Sequence, residues 1–443
     1  MAHPLLARRL TLLASSVLMA QAQLASASMG NIGSTYGVLP TDLASAQALS
    51  MFNPHVSATF YNPAYLTTDT RGELSTAILH AEPDLTARSL GGNGTFALRS
   101  ESQHVLIGMK TEVSDLLRHG PPVYLGFVVG VEKYGQEMLA FDSRTSEQGQ
   151  FLHYGRQPMF LSIGGASPLW RGLSAGISAR VTLHAASGLS AVSDLAGNTQ
   201  EEQIAVNAEP SIRMIYSANL DWGKTFCPDR QCLVSGWETA VTYRTSSDTN
   251  TSVEAKVVIP GLIPASDPLE MRVRTFDSYQ PATLAVGVQY RAERWRAGLT
   301  VEQQYWSKLS EKLEGDSIKN QAQVGFEDIL IPRLGAEYWL TRNFSVTTGV
   351  AWQPSPLKDG LTPDVNYFDN ERYIVGIGLS AQFERTRFLT YPVRLDVGYQ
   401  HHLMVEREFD LSRIDPDGQV EVYDRVTTEG QVGVLAGSLT FKF

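Results

Sequence analysis

The chain has 443 residues and carries 36 Lys and Arg against 46 Asp and Glu, so its formal net charge is −10 at pH 7. This acidic balance argues against a nucleic-acid partner, because such a partner requires a basic face on the protein. After the first residues, no stretch stays apolar over the roughly 18 residues that a membrane-spanning helix needs, so no such helix is predicted.

The N-terminus has the features of an export signal. Arg8 and Arg9 form a basic start, residues 10–19 form a short apolar core, and Ala25-Ser26-Ala27 is a small-residue cleavage site. The core is too short to cross a bilayer whose hydrocarbon region is about 30 Å thick. We therefore predict a signal peptide over residues 1–27, cleaved after Ala27. The alternative is an ordinary, uncleaved N-terminal helix.

Residues 28–70 lack sustained alternation and are rich in small residues, with a short helix expected to begin at Thr41 or Asp42. Their Phe, Tyr, Met and Leu content argues against the alternative interpretation, a disordered periplasmic leader. The polar lumen of a barrel must be closed if it is not to leak. About forty residues ahead of a first strand could fold inside and close it, so we predict an N-terminal hatch over residues 28–70 that plugs the lumen.

From Arg71 onward, apolar and polar residues alternate. In residues 171–184, Leu173 and Ile177 fall on one face whereas Ser174 and Arg180 fall on the other, as in a strand with two chemically different faces. The pattern predicts an all-β fold. Its fourteen strands are expected over residues 71–81, 103–112, 121–132, 157–167, 171–184, 209–222, 235–246, 281–291, 294–306, 328–340, 343–353, 371–384, 391–406 and 430–443.

The connections between these strands alternate in length. The long ones lie at residues 82–102, 133–156, 185–208, 247–280, 307–327, 354–370 and 407–429. A soluble sandwich also shows alternation, but membrane-length strands joined by short periplasmic turns and long outer loops are typical of an outer-membrane barrel. We therefore predict a transmembrane antiparallel β-barrel over residues 71–443, located in the bacterial outer membrane with both chain ends in the periplasm.

One region fits this count less simply. Residues 253–259 and 269–275 also alternate, and the apolar parity changes near Pro281, which indicates a break or bulge. We interpret the two segments as a hairpin extending above the membrane. If they cross the membrane instead, the barrel has sixteen strands.

The two cysteines, Cys227 and Cys232, lie five positions apart. Export places them in an oxidising compartment, where a small disulfide loop is expected. A zinc site needs about four ligands, which do not cluster here, and the spacing differs from that of a CxxC redox motif.

Aromatic residues near the predicted strand ends suit an interfacial belt, although ordinary hydrophobic filling is the alternative. They are Trp222, Trp237, Trp295, Trp306, Trp339 and Trp352. The last residues, 439–443, alternate and stop on Phe443. Such an ending looks like the signal by which the barrel assembly machinery recognises its substrates, so this machinery is an expected partner.

Several motifs, in this order, resemble the FadL/TodX family of outer-membrane transporters of long-chain fatty acids and hydrocarbons. The first is the turn Asn62-Pro63-Ala64, just ahead of the first strand. The others are residues 280–287 (QPATLAVG), 333–338 (RLGAEY), 344–356 (FSVTTGVAWQPSP), 363–364 (PD) and 369–372 (DNER).

The resemblance implies a monomeric barrel of fourteen strands whose N-terminal hatch contains the turn Asn62-Pro63-Ala64. It also implies an inward kink in the third strand, residues 121–132, where Gly126 and Gly130 could let the backbone bend. A ligand would be captured by the outer loops, move to a pocket beside the hatch and leave laterally into the membrane.

The partners expected are therefore a hydrophobic small molecule and the lipids and lipopolysaccharide of the outer membrane. A hydrophobic groove on the outer loops would lower the barrier that the polar sugar layer presents. Its candidate residues are Leu139, Phe141, Phe151, Leu152, Leu189, Val192 and Leu195. The family's contacts to a ligand carboxylate cannot be placed, so a fatty acid, an alkane and an aromatic hydrocarbon stay open as substrates.

No catalytic set, metal site or cofactor is predicted. Ser174 lies in a G-x-S-x-G match, but a nucleophile elbow requires a strand-turn-helix and the sequence alternates on both sides of it. His401 and His402 point to opposite faces of a strand, and residues 415–418 are a turn. A structural or adhesion barrel and an outer-membrane lipid-processing enzyme are the alternative functions.

Overall fold

The computed structural model describes residues 32–91, 95–98, 101–114, 120–133, 139–141, 159–193, 199–228, 232–257, 269–313, 325–358, 366–384, 391–414 and 419–443. Nearly all regular structure in these ranges is strand, and none of their helices has the length and apolar character needed to cross a membrane. The signal peptide predicted over residues 1–27 lies outside the described residues.

The strands are β1 (Glu73–Ser89), β2 (Thr95–Leu98), β3 (Ser102–Glu112), β4 (Tyr124–Lys133), β5 (Leu139–Phe141), β6 (Met159–Trp170), β7 (Leu173–Ser193), β8 (Thr199–Asp221), β9 (Trp237–Arg244), β10 (Ser247–Val257), β11 (Leu269–Gln280), β12 (Ala282–Arg291), β13 (Trp295–Tyr305), β14 (Ile329–Trp339), β15 (Phe344–Gln353), β16 (Asn366–Phe368), β17 (Arg372–Phe383), β18 (Val393–Ile414) and β19 (Val420–Lys442). The helices are α1 (Ile32–Thr35), α2 (Pro40–Ala44), α3 (Ala58–Tyr61), α4 (Trp222–Phe226) and α5 (Ser307–Leu313), with 3₁₀ turns at Ser50–Phe52 and Pro63–Thr67.

Fourteen of these strands form one closed antiparallel barrel, and β2 adds a short pairing to β1. The order is β19-β18-β17-β15-β14-β13-β12-β9-β8-β7-β6-β4-β3-β1, and β1 returns to pair with β19. The closing register runs from Glu73 opposite Lys442 to Ser89 opposite Val426. Each of the fourteen predicted membrane strands is therefore present, and closure leaves no unpaired edge at the seam.

The hairpin predicted between residues 247 and 280 is confirmed. β10 and β11 pair with each other in a separate two-stranded sheet, so the barrel has fourteen strands and not sixteen. Two of the long connections are largely built from strand. β7 and β8 stay paired out to Ser193 and Thr199, and β18 and β19 out to Ile414 and Val420.

The outer face of the barrel is apolar and its inner face carries the polar residues. Ile78, Ile107 and Leu379 on the outer face are each more than half exposed. Arg180 and Glu132 point inward and are almost wholly buried. This is the reverse of a water-soluble sandwich, where the apolar side chains would be buried. A continuous apolar outer surface is stable only against lipid.

Part of the predicted aromatic belt lies on this outer face. Trp237 and Trp295 are exposed at the same end of the barrel, and the Tyr290 ring lies between them at centroid distances of 5.2 and 5.4 Å. Trp352 is exposed near the opposite end. The prediction is wrong for Trp306, which is buried inside the barrel. A tryptophan at a strand end can face either side of the wall, and sequence position alone does not decide between them.

Candidate functional site: the barrel lumen

The described residues ahead of β1, numbered 32–70 and called here the N-terminal segment, contact the inner wall of the barrel on many sides. Nearly every side chain from Tyr36 to Leu66 is buried. Inward side chains hold its backbone at regular intervals. These bonds are Gln400 Nε2 to Leu43 O, Arg333 Nη1 to Ala46 O, Thr300 Oγ1 to Ala48 O, Arg296 Nη1 to Phe52 O, Lys110 Nζ to Pro54 O and Ser178 Oγ to Thr59 O.

Inward glycines let this segment approach the wall more closely than any side chain would allow. A Cβ atom added at Gly349, Gly376 or Gly398 would overlap backbone atoms of the segment. The backbone atoms concerned belong to residues 40–45, including the α2 helix. The segment and β15, β17 and β18 therefore meet backbone to backbone, a role that glycine alone can fill.

The turn Asn62-Pro63-Ala64 lies inside this contact. Asn62 Nδ2 donates to Met51 O at 2.7 Å, which ties two parts of the segment together. Pro63 begins a 3₁₀ turn, and the Ala64 N–H donates to Ser217 Oγ of β8 at 2.8 Å. A Cβ at Gly176 of β7 would overlap Pro63 and Ala64. All three residues are buried and structural, and their assignment as a hatch turn stays a prediction.

Asp42 and His55 of the segment are both buried. Asp42 accepts from Leu39 N at 2.9 Å and from Asn53 Nδ2 at 3.2 Å. Burial nevertheless raises the pKa of Asp42 to about 6, because desolvation of the carboxylate outweighs these hydrogen bonds. Burial lowers the pKa of His55 below its usual value, although the carboxylate of Glu73 acts in the opposite direction.

With distance along the strands from the start of β1, the inner face of the barrel changes from polar to apolar. Along β1, the inward side chains are Glu73 and Ser75 at the start and Leu79 and Leu85 further on. The apolar residues form one buried cluster, called here the apolar lumen cluster. Its members are Tyr36, Leu43, Leu79, Ala81, Leu85, Ala87, Tyr279, Trp306, Leu309, Leu313, Phe326, Ile329, Ile331, Leu357, Val426, Val432, Val434 and Ala436.

The α5 helix forms part of the boundary of this cluster. It places Leu309 and Leu313 against the cluster. Trp306, just before the helix, stacks on Phe326 at a centroid distance of 6.3 Å. Lys312 Nζ lies 2.5 Å from Asp248 Oδ1 and so ties α5 to β10. The cluster is therefore enclosed between the wall, the N-terminal segment and the connections at one end of the barrel.

A second apolar group lies between the segment and strands β1, β3, β4, β6 and β8. This apolar wall cluster consists of Val38, Leu39, Val56, Phe60, Tyr61, Ala77, Leu106, Val128, Phe160 and Ile215. Tyr36 of the first cluster and Val38 of the second are two residues apart, so the N-terminal segment connects the two apolar surfaces.

Charged side chains on the inner face are paired with each other at several positions among the described residues. Arg180 Nη2 lies 2.8 Å from Glu132 Oε1, and Arg296 Nε lies 2.7 Å from Glu337 Oε2. Arg244 pairs with Glu302. Pairing offsets the cost of desolvating these charges, so the lumen divides into ion-paired and apolar regions.

The glycines of the predicted kink lie in β4, whose pairing with β3 and β6 continues without a register shift. A Cβ at Gly126 would overlap Thr59 of the segment, and one at Gly130 would lie 2.6 Å from Phe160 Cε1. These positions allow close packing in this structure. The kink stays a prediction.

The structure does not describe the side chains of the predicted loop groove. Phe151, Leu152 and Leu195 lie outside the described residues. Leu139 and Phe141 lie in β5, which pairs with β16, and Leu189 and Val192 lie in the extension of β7, with backbone alone described. At the opposite end of the barrel, a disulfide joins Cys227 and Cys232.

Two further groups of residues do not form part of the lumen site. Ser174 sits in strand β7 and accepts a hydrogen bond from Thr67 Oγ1 at 2.9 Å, so it is not on a nucleophile elbow. Among the described residues, His80, Glu82 and Glu101 bring possible metal ligands within 4.8 Å of one another. They are on the exposed outer face, away from the lumen.

Sequence reasoning missed the apolar lumen cluster. A signal was present, since β1 continues its apolar alternation through Leu85 and Ala87 although the opposite face becomes polar from His80 onward. A pattern of alternating residues favours the assignment of a strand's polar face to the lumen. That assignment fails where the strand leaves the membrane, because water then contacts the outer face instead of lipid.

A closed fourteen-stranded barrel with an apolar outer face and a largely buried segment against its inner wall defines the class of outer-membrane β-barrels. No family model matches the chain. The chain is 54% identical over 425 residues to alkane uptake protein A of Marinobacter nauticus, covering 94% of this chain and 92% of that protein. It therefore belongs to the family of that protein, and its predicted resemblance to the FadL/TodX transporters extends to the fold.

Solved structures show the same fold at low sequence identity. A FadL homologue of Pseudomonas aeruginosa has a TM-score of 0.60 at 13% identity, covering 91% of this chain and 98% of that one. The toluene transporter TodX of Pseudomonas putida has a TM-score of 0.53 at 11% identity, covering 92% and 99%. By name, these proteins include an alkane uptake protein and a toluene transporter, in agreement with the expectation that the chain is not an enzyme.

Proposed function

We propose that the protein is a passive outer-membrane channel for hydrophobic molecules, with alkanes as its principal substrates. The apolar lumen cluster is the observation that carries this proposal. The inner face of a general porin is polar because it contacts water. Here the N-terminal segment and the inner faces of β1, β14 and β19 enclose an apolar surface that favours a hydrophobic solute over water.

The relative's name supports the substrate class. Alkane uptake protein A shares more than half of its aligned residues with this chain over nearly the whole length. An alkane has no group that requires a hydrogen bond, so the apolar lumen cluster can bind it without a polar partner. Fatty acids and aromatic hydrocarbons are the other candidates.

In this proposal residues 28–70, which include the N-terminal segment, act as a hatch. Its buried contacts with many strands close the lumen to water, and the turn Asn62-Pro63-Ala64 fixes its last part against β7 and β8. A ligand changes the position of the hatch only by its differential affinity for the two positions. Transport then follows the concentration gradient.

The path we propose begins in a groove on the outer loops and continues in the apolar lumen cluster. It then follows the segment to the apolar wall cluster, where Val56 and Thr59 pack on Gly108 and Gly126 of β3 and β4. A shift of the part of the segment that contains Val56 and Thr59, with bending of β4 at Gly126 and Gly130, would open a lateral exit into the membrane.

The remaining proposals concern export and assembly. The signal peptide is removed after Ala27, and the barrel assembly machinery recognises the final strand through Phe443. The mature protein is a monomer in this proposal, as the family resemblance implies. Its apolar outer face contacts the lipids and lipopolysaccharide of the outer membrane.

Uptake by cells tests the proposal. A strain lacking the gene should take up labelled hexadecane more slowly than the wild type, with oleate and toluene measured in parallel to define the substrate class. Equal uptake of all three would refute a hydrophobe channel. Deletion of residues 28–66 should give a leaky or inactive barrel, whereas an adhesion barrel would be indifferent to this deletion.

A further inference from the structure

The connection between β8 and β9 places apolar side chains at the surface, at the end of the barrel opposite the predicted outer loops. Phe226 of α4 is 61% exposed, and Leu233 is 97% exposed. They flank the disulfide, since Phe226 precedes Cys227 and Leu233 follows Cys232. Single exposed apolar residues are ordinary on protein surfaces, so the neighbours of this pair decide whether it has a role.

The connection holds these two side chains in place. The disulfide closes its loop, Cys227 N donates to Gly223 O at 2.9 Å, and Cys232 N donates to Ser235 Oγ at 2.9 Å. A backbone held next to Leu233 in this way keeps that side chain at the surface, where contact with water is unfavourable.

The turn between β6 and β7 extends this apolar surface. Leu169 and Trp170, at the end of β6, are 62% and 61% exposed. Thr225 Oγ1 of α4 donates to Arg171 O at 2.8 Å, and a Cβ at Gly172 would lie 2.5 Å from Thr225 Oγ1. The turn and α4 are therefore packed against each other, and with the loop they present four exposed apolar side chains at one end of the barrel.

This surface continues the apolar outer wall of the barrel. The Trp222 ring of α4 lies at a centroid distance of 5.6 Å from that of Phe226, and Trp222 Nε1 donates to Thr239 Oγ1. Thr239 lies on the outer face of β9 between Trp237 and Val241, both of which are exposed. The connection therefore packs on the outer side of the wall, at the end that carries the Trp237 part of the aromatic belt.

We propose that the β8–β9 connection is a membrane anchor, which inserts Phe226 and Leu233 into the phospholipid of the inner leaflet beside the barrel wall. The inference rests on the proposed function for its orientation, in which this end of the barrel is the periplasmic one. The anchor lies outside the membrane strands, so it adds a lipid contact that the strands themselves do not make.

The residues around the anchor fit this partner. Trp222 combines an apolar ring with one N–H donor, a combination that is enriched where a membrane meets water. Arg171 and Lys224 are exposed on the same two elements, and Lys224 also pairs with Asp221 at 3.3 Å. Cations beside inserted apolar side chains would lie at the depth of the lipid phosphate groups.

A protein partner would also cover apolar side chains, but continuity with the wall favours lipid. Trp222 bonds to Thr239 on the outer face, two residues from the exposed Trp237. A protein bound to the connection would have to displace lipid from the wall beside it. The inner leaflet covers the same surface without that displacement.

Photo-crosslinking of the full chain in intact cells tests the inference. The photoreactive residue benzoylphenylalanine replaces Leu233, and the mass of any molecule attached to it after illumination is measured. The matched control carries the same residue in place of Glu293, which is exposed in the β12–β13 turn at the same end of the barrel. We expect phospholipid adducts at position 233 and roughly tenfold fewer at position 293, the ratio that about 1.4 kcal/mol of apolar transfer gives.

Three results would overturn the inference. These are equal phospholipid yields at the two positions, adducts to lipopolysaccharide, which belongs to the outer leaflet, and adducts mainly to a protein. If the chain with a replaced Leu233 does not fold, the same residue in place of Phe226 is judged by the same results. Hexadecane uptake is measured separately, and its failure would contradict the proposed function without changing the adducts, so the two failures are distinguishable.

Discussion

His55 Nδ1 lies 2.8 Å from Glu73 Oε2, and this contact joins the N-terminal segment to the first residue of β1. The other oxygen of Glu73 accepts from Val56 N at 3.1 Å and from Ser75 Oγ at 2.8 Å. One buried carboxylate therefore holds the turn of the segment that packs on β3 and β4.

Glu73→Ala should loosen this turn. The change leaves the His55 ring and the Val56 N–H without their acceptor in a buried site, which costs about 1–3 kcal/mol. We expect a lower thermal midpoint in detergent and faster proteolysis within the segment. Glu82→Ala is the matched control, since Glu82 lies on the same strand with an exposed side chain. If both variants resist protease like the wild type, Glu73 does not anchor the segment.

Gly376→Ala should displace the segment without breaking the barrel. The added methyl group would overlap the backbone carbonyls of Leu43 and Ala44, which cannot move as a flexible side chain could. We expect increased passage of small polar solutes through the variant reconstituted in vesicles. Gly437→Ala is the control, because a Cβ there meets nothing within 4 Å among the described residues. Equal passage through the two variants would contradict the proposed role of the segment as a hatch.

Trp306→Ala should weaken hydrophobe binding. Trp306 packs on Phe326 and Tyr279 within the apolar lumen cluster, and its truncation removes a large apolar surface. Large-to-small changes in buried sites typically cost about 3–5 kcal/mol, part of which should appear as reduced affinity for hexadecane. Trp352→Ala, on the exposed outer face, is the control for losing a tryptophan. If Trp306→Ala binds hexadecane as tightly as the wild type, the apolar lumen cluster does not bind hexadecane.

The docking of the segment should depend on pH through Asp42. Its pKa rises from 3.8 to about 6 on burial, so the folded state favours the neutral carboxyl. This contribution to stability is fully present below pH 3.8 and is lost as the pH rises through 6. The difference of roughly 2 units corresponds to about 3 kcal/mol.

Asp42→Asn should remove this dependence. Hydrogen exchange of the segment amides, corrected for intrinsic rates, should show wild-type protection falling relative to the variant between pH 4 and 7. His55 titrates in the opposite sense, because its lowered pKa makes the segment less stable as the pH falls through about 6.5. His55 is present in both proteins, so the comparison isolates Asp42. Parallel pH profiles would rule out an effect of this carboxyl.

The alternating pattern predicted the barrel strands well. Each crossing must present apolar residues to lipid on every second position, as Val375, Ile377 and Leu379 of β17 show, so the signal is contained within about ten residues. The same pattern located the separate β10–β11 hairpin, since the parity change near Pro281 marks the point where β11 ends and β12 begins.

The lumen was harder to predict. Trp306 is predicted to join the belt but packs inward, and no prediction covers Val432 or Val434, which belong to the apolar lumen cluster. Which inward residues meet depends on the closure of the barrel, which brings β19 beside β1. Alternation along a single strand carries no information on these contacts.

By itself, the sequence determined where the fourteen membrane strands lie and which face of each is apolar, because both follow from a local period of two. The separate pairing of β10 with β11, which excludes a sixteen-stranded barrel, was decided by the tertiary structure. Only the tertiary structure decided that Leu309 and Val434, far apart in the chain, share one apolar cluster. It also decided that Gly376 receives the backbone of α2. These relationships are set by barrel closure and by the course of the N-terminal segment, both of which depend on contacts between distant residues.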